Sequence, residues 1–130
     1  MIGEKICVMS IVAYRPNIET GEYACFGLVM YCPATRELRY RLCDEPDVEA
    51  RINTFFNGFG KCRLNQVASA TRKDIVYTMG RIAAGDENAF QNLIRPRESA
   101  IHYCEPRSML VEDMDSALEA EYNRLIRRAA

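Results

Sequence analysis

The sequence predicts an α+β domain: an antiparallel sheet of about four strands, a meander plus a late return strand, covered by three or four helices. Three observations predict it. Tyr23–Cys32 is almost unbroken in its apolar character, and the short Pro33–Arg36 connection leads from it into Glu37–Cys43. In that second stretch Leu38, Tyr40 and Leu42 alternate with Glu37, Arg39 and Arg41, giving one apolar and one wet face. A third apolar run, Lys5–Tyr14, lies just upstream, and segments with helical spacing dominate only after these strands.

Taken in order, Lys5–Tyr14 forms strand one and stops at Arg15-Pro16, since proline has no amide to give a central strand. Residues 16–21 make a loop. Tyr23–Cys32 follows as strand two. Its periodicity fits a doubly buried strand or a buried helix, and its aromatic and β-branched content between Gly21 and Pro33 favours the strand. Gly27 within it marks a bulge, a bend or the close approach of another group. Glu37–Cys43 is strand three. The Asp44–Asp47 segment, with Pro46 in a first turn, starts a helix whose Val48, Ile52, Phe55, Phe56 and Phe59 share a face. Those rings are expected to pack on the hairpin, and Gly58 and Gly60 end the helix.

A second helix is predicted over Gln66–Ala84, with Ile75, Val76, Met79, Ile82 and Ala83 as its apolar face and Gly85 as its stop. Asp86 caps a short helix carrying Phe90, Leu93 and Ile94, which Pro96 terminates. Glu98–Cys104 is strand four, with Ile101 and Tyr103 facing one way and Ala100, His102 and Cys104 the other. Asp113–Arg127 closes the chain as a helix with Met114, Leu118, Tyr122, Leu125 and Ile126 on one face. Helices are expected to cover mainly one face of the sheet.

The segments Gly21-Glu-Tyr-Ala-Cys-Phe-Gly-Leu-Val-Met-Tyr31, Arg97-Glu98 and Glu105-Pro-Arg107 carry a resemblance. The chain resembles an uncharacterised bacterial family, domain of unknown function thirty thirty-seven. That family combines a tyrosine-containing first strand, a "GE-aromatic-x-N-x-G-V" second strand and a late "PRE…PR" stretch before a C-terminal helix. The last two correspond to Gly21–Leu28 and Pro96–Arg107, with Cys25 standing where the family has asparagine. Some members are encoded beside proteins with HipA-like kinase domains, so the resemblance implies such a kinase as a partner. It implies no activity.

At 130 residues, one domain spanning 1–130 is the natural reading. With 17 basic against 18 acidic side chains, bulk attraction to nucleic acid or membrane is weak. No apolar run reaches membrane-spanning length, and the first residues lack a secretory layout, so a cytoplasmic location is expected. Six scattered cysteines include no C-x-x-C pair, and His102 is the sole histidine, so neither a metal site nor any cofactor is expected. Buried free thiols account for the cysteines better than a disulfide framework does.

Gly58-Phe-Gly-Lys61 lacks the spacing and the hydroxyl residue of a phosphate loop. His102 and Cys104 are two apart on a strand, roughly 7 Å between Cα atoms, which is awkward for a nucleophilic pair. The cluster with binding chemistry is Arg39, Arg41, Arg95, Arg97 and Arg107 around His102, which forms one basic surface if strand four lies near strand three. A solvated face neutralised by Glu37, Glu98 and Glu105 explains the same residues. The expected function is a non-catalytic interaction or accessory module of a bacterial or phage system, acting on a protein partner. The alternatives are a nucleic-acid-binding module using those arginines, and a small hydrolase with His102 and Glu22 as participants.

Overall fold

The computed structural model describes residues 4–15, 23–46, 50, 52, 64–96 and 101–127. Its elements are β1 (Lys5–Tyr14), β2 (Ala24–Cys32), β3 (Glu37–Leu42), α1 (Leu64–Ala83), α2 (Ala89–Ile94), β4 (Ile101–Tyr103), β5 (Arg107–Val111) and α3 (Met114–Tyr122). A π-helical turn, Asn123–Arg127, continues α3. Pro46, Ala50 and Ile52 are helical and Ile52 is buried, in line with a helix start near Asp44–Asp47. Val48, Phe55, Phe56 and Phe59 lie outside the described residues.

The sheet is antiparallel, in the order β3-β2-β1-β4, with β5 also paired to β1. The meander and its return are therefore present, but the return is made of two strands. β1 is long enough to hold both end to end: Val12–Tyr14 faces Tyr103–Ile101, and Lys5–Met9 faces Val111–Arg107. Between them the chain steps outward at Cys104–Pro106. There Cys104 donates its amide to the Ile11 carbonyl at 2.8 Å and accepts from Ser10 Oγ at 2.6 Å. Pro106 has no amide to offer, which separates the two strands.

β2 is buried from Phe26 to Cys32 because helices lie on both sides of it. This corrects the expectation of one covered face. Leu28 and Met30 lie opposite Arg41 and Arg39, on the side that meets α3. Tyr31 and Val29 point the other way, and Tyr31 stacks on Phe90 of α2 with ring centroids 5.1 Å apart. Gly27 combines two of its expected roles. The β1–β2 register slips beside it, between Val12 and Ala13, and a Cβ on Gly27 would stand 2.4 Å from Leu42 Cδ2.

α1 starts two residues earlier than its periodicity suggests, and its buried stripe differs. Val67, Ala68, Thr71, Ile75, Thr78 and Ile82 are inside, whereas Val76 and Ala83 are exposed. The two threonines are tolerated there because each hydroxyl donates to the carbonyl four residues back, Thr71 to Val67 at 2.8 Å and Thr78 to Asp74 at 2.9 Å. Gly85, at φ 96°, ends the turn that follows. α3 begins as expected: Asp113 accepts the Ser116 amide at 3.1 Å.

Candidate functional site

The sheet order separates the residues that the sequence groups together. β3 and β4 occupy opposite edges, so Arg39 and Arg41 do not share a surface with His102. The geometric condition for one basic face is not met, because the return strand adds to β1 and not to β3.

Arg39 and Arg41 instead hold α3 against the sheet. Arg39 pairs with Glu37 at 2.8 Å and with Asp115 at 3.7 Å. Arg41 pairs with Glu119 at 2.9 Å, Asp44 at 3.3 Å and Glu45 at 3.6 Å, and donates to the Leu42 carbonyl at 2.6 Å. Its guanidinium carbon lies 4.0 Å from the centre of the Tyr122 ring, a cation–π geometry. Tyr122 is fully buried and its hydroxyl donates to Glu45 at 2.8 Å, while Arg127 donates to the other Glu45 oxygen at 2.8 Å. Burial pushes the Glu45 carboxyl up, but the hydrogen bonds from Arg127, Tyr122 and Asp44 outweigh it and bring the pKa down to about 2. Arg107 faces Glu121 at 3.8 Å. These guanidinium groups are committed to carboxylates of the same chain.

Arg95 and His102 do come together. Both line an open cleft of about 730 Å³ between the end of α2 and the β4–β5 step, with Ile94, Pro96, Tyr103 and Pro106 as its apolar walls. Arg107 directly follows Pro106 in the chain. Arg97 and Glu22 lie outside the described residues. A second cavity of about 340 Å³ shares Ile94 and Pro106 with the first and reaches Val8, Tyr31 and Phe90. The two adjoin at Ile94 and Pro106 and make a groove between α2, the β4–β5 step and the sheet face that carries Val8 and Tyr31.

His102 is half-buried, and burial with the nearby Arg15 charge pulls its pKa below the ordinary imidazole value. The ring is therefore largely neutral at neutral pH. Its ring partner is Tyr23, centroid to centroid 6.3 Å. Burial pushes the Cys104 thiol upward, so it stays protonated. A neutral imidazole beside a protonated thiol lacks the ion pair that activates a nucleophilic cysteine. Among the described residues no group of three or more His, Cys, Asp or Glu is placed to hold a metal ion.

Sequence reasoning misses an exposed apolar pair on the sheet face that carries Val8. Ile6 and Leu110 stand directly opposite one another on β1 and β5, exposed at 61% and 62%. They are on the same sheet face as Val8, two residues along β1 from Ile6. The readable signal was Pro106, since a proline at the entrance of an extended stretch marks an edge strand.

The family model described as "protein of unknown function (DUF3037)" matches residues 9–126. The chain belongs to that family. The match runs from within β1 to the π-helical turn, so it takes in β2 to β5, the three helices and the Arg41–Tyr122 contact of this DUF3037 member, while Lys5–Val8 of β1 lie before it. No curated protein and no solved structure matches the chain. Among the described residues no helix is long and apolar enough to cross a membrane.

Proposed function

We propose that this DUF3037 chain is a non-catalytic interaction module whose groove along β4 and β5 receives an extended segment of a protein partner. The observation that carries the reading is the exposed Ile6–Leu110 pair across β1 and β5, beside the open edge of β5. Among the described residues β5 pairs only with β1, so its far side offers backbone donors and acceptors for one more strand. A segment added there places alternate side chains beside Leu110, on the sheet face that also carries Ile6 and Val8. Arg95 at the cleft favours acidic residues beside that segment.

A HipA-like kinase is the partner that the family resemblance implies. Co-expression of the chain with a kinase encoded beside a DUF3037 member, followed by co-purification and amide exchange, tests the proposal. Protection is expected along Arg107–Val111, and Leu110→Lys with Ile6→Lys is expected to weaken the complex at least tenfold without altering the fold. A complex that tolerates both changes, or that protects α1 and leaves β5 unprotected, overturns it.

The nucleic-acid alternative has less to rest on. Arg39 and Arg41 sit at the opposite edge from His102, and Arg39, Arg41 and Arg107 all face carboxylates. A steep fall of any DNA or RNA affinity with salt is what would favour it.

A further inference from the structure

Two buried thiols outside the groove are placed for chemistry of their own. β1 and β2 run antiparallel with Met9 opposite Met30 and Val8 opposite Tyr31, and one more step of that register sets Cys7 opposite Cys32. Both side chains are fully buried, and the two thiols are hydrogen-bonded to each other. Directly opposed residues of an antiparallel pair have Cα atoms about 4.5–5.5 Å apart. A disulfide accepts roughly 4.4–6.8 Å, so the backbone need not move to close one.

We propose that Cys7 and Cys32 are a peroxide-sensitive dithiol, with Cys32 as the attacking sulfur and Cys7 as the resolving one. The local structure divides the roles. Cys32 ends β2, and its sulfur meets the hydroxyl and amide of Thr35 and the amide of Ala34 in the turn that follows. Burial pushes the Cys32 pKa up, but those donors and the Cys7 thiol bring it below the ordinary thiol value. Cys7 has no such donors from the turn; burial and the neighbouring Cys32 hold it up at about 11. The thiolate therefore forms on Cys32, which is the nucleophile of the pair.

The reaction has two displacements. The Cys32 thiolate attacks one oxygen of hydrogen peroxide, the O–O bond breaks, and Cys32 sulfenic acid and hydroxide form, the hydroxide taking up the proton that Cys32 released to become water. The Cys7 sulfur then attacks the sulfenyl sulfur; the S–S bond forms, the S–O bond breaks, and the departing oxygen leaves as water with the Cys7 proton. Both thiols lose one electron each, and the peroxide is reduced to two waters. A small polar cleft of about 160 Å³ opens on this side of the sheet, with Lys5 and Glu37 on its rim and Met114 beside them. Lys5 is two residues from Cys7 on β1, and Glu37 is the cross-strand neighbour of Cys32. Neither cysteine lines that cleft, so peroxide reaches the fully buried sulfurs only when this end of the sheet opens.

The other thiol pair gives the internal contrast. Cys25 faces Ala13 on one side of β1, and Cys104 donates to Ile11 on the other side. Two strand spacings, about 9–10 Å, separate them, beyond disulfide reach.

The test is peptide mapping of the wild-type protein after brief treatment with hydrogen peroxide and alkylation of the remaining thiols. A single linked Cys7–Cys32 peptide is expected, reversed by dithiothreitol, with Cys25 and Cys104 still alkylated as thiols. In Cys7→Ser, dimedone is expected to label Cys32; in Cys32→Ser, Cys7 is expected to stay unlabelled. The proposal is overturned if Cys7 and Cys32 remain alkylatable thiols after treatment, whether or not another cysteine oxidises. Dimedone labelling of Cys7 in Cys32→Ser overturns the assignment of roles. The wild-type mapping does not depend on either variant folding.

Discussion

Gly27 has no room for a side chain: a Cβ there would meet Leu42 Cδ2 at 2.4 Å and the Arg41 carbonyl at 3.0 Å. Leu42 can shift in part, but the carbonyl belongs to a paired strand. Gly27→Ala is therefore expected to destabilise the protein by about 1–3 kcal/mol, read from denaturant midpoints. Gly85→Ala acts through the backbone, since φ 96° strains any L side chain; a loss of about 1 kcal/mol is expected by the same measurement. Tyr122→Phe leaves the ring in place and removes one donor from Glu45, which keeps Arg127. A loss of about 1–2 kcal/mol is expected in thermal or denaturant unfolding. Gly27 is legible in the sequence as a special position. The Tyr122 partnership is not, because Glu45 and Tyr122 are distant in the chain and only the docking of α3 brings them together.

At the scale of elements, β1, β2, β3 and α3 are legible because each has either an apolar run or a clear periodicity, bounded by a chemical stop: Pro16 after β1, the Pro33–Arg36 turn between β2 and β3, and the Asp113 cap before α3. β5 is not legible. Arg107–Val111 is short, follows a proline, and shows one buried residue in five, so no hydrophobic pattern announces it. The face of α1 is misread for a different reason: Thr71 and Thr78 look polar, yet their hydroxyls are satisfied by the helix's own carbonyls and both residues are buried. Thr71→Val is accordingly expected to change stability by less than about 1 kcal/mol, whereas Thr71→Lys at this fully buried position should unfold the helix contact. Circular dichroism melts of the two variants check both outcomes. Of the residues grouped by sequence, Arg95 and His102 line one cleft, and Arg39 and Arg41 lie at the opposite edge, since strand order is a long-range property that local pattern does not encode.

For the whole molecule, the attachment of α3 to the sheet runs through the Arg41, Glu45, Tyr122 and Arg127 network, and that makes stability depend on acidity. The folded pKa of Glu45 lies near 2 and its ordinary value is 4.5, so the folded state favours the charged carboxyl. The stabilisation is complete above pH ~4.5 and is lost as pH falls through the window down to ~2. After allowance for solvent screening it amounts to about 2 kcal/mol. The melting temperature is expected to drop across that window, and Glu45→Gln to flatten the drop while lowering the plateau at neutral pH. An acid profile identical in the variant would contradict the assignment. A different kind of inequality arises at the other edge of the sheet. Because two short ribbons share one ten-residue neighbour and are separated by a proline step, neither needs the other in order to let go. The three-residue ribbon should fray first, so deuterium should enter the His102 amide, which faces β1, well before the Met109 amide, and the rim of the groove should loosen one half at a time.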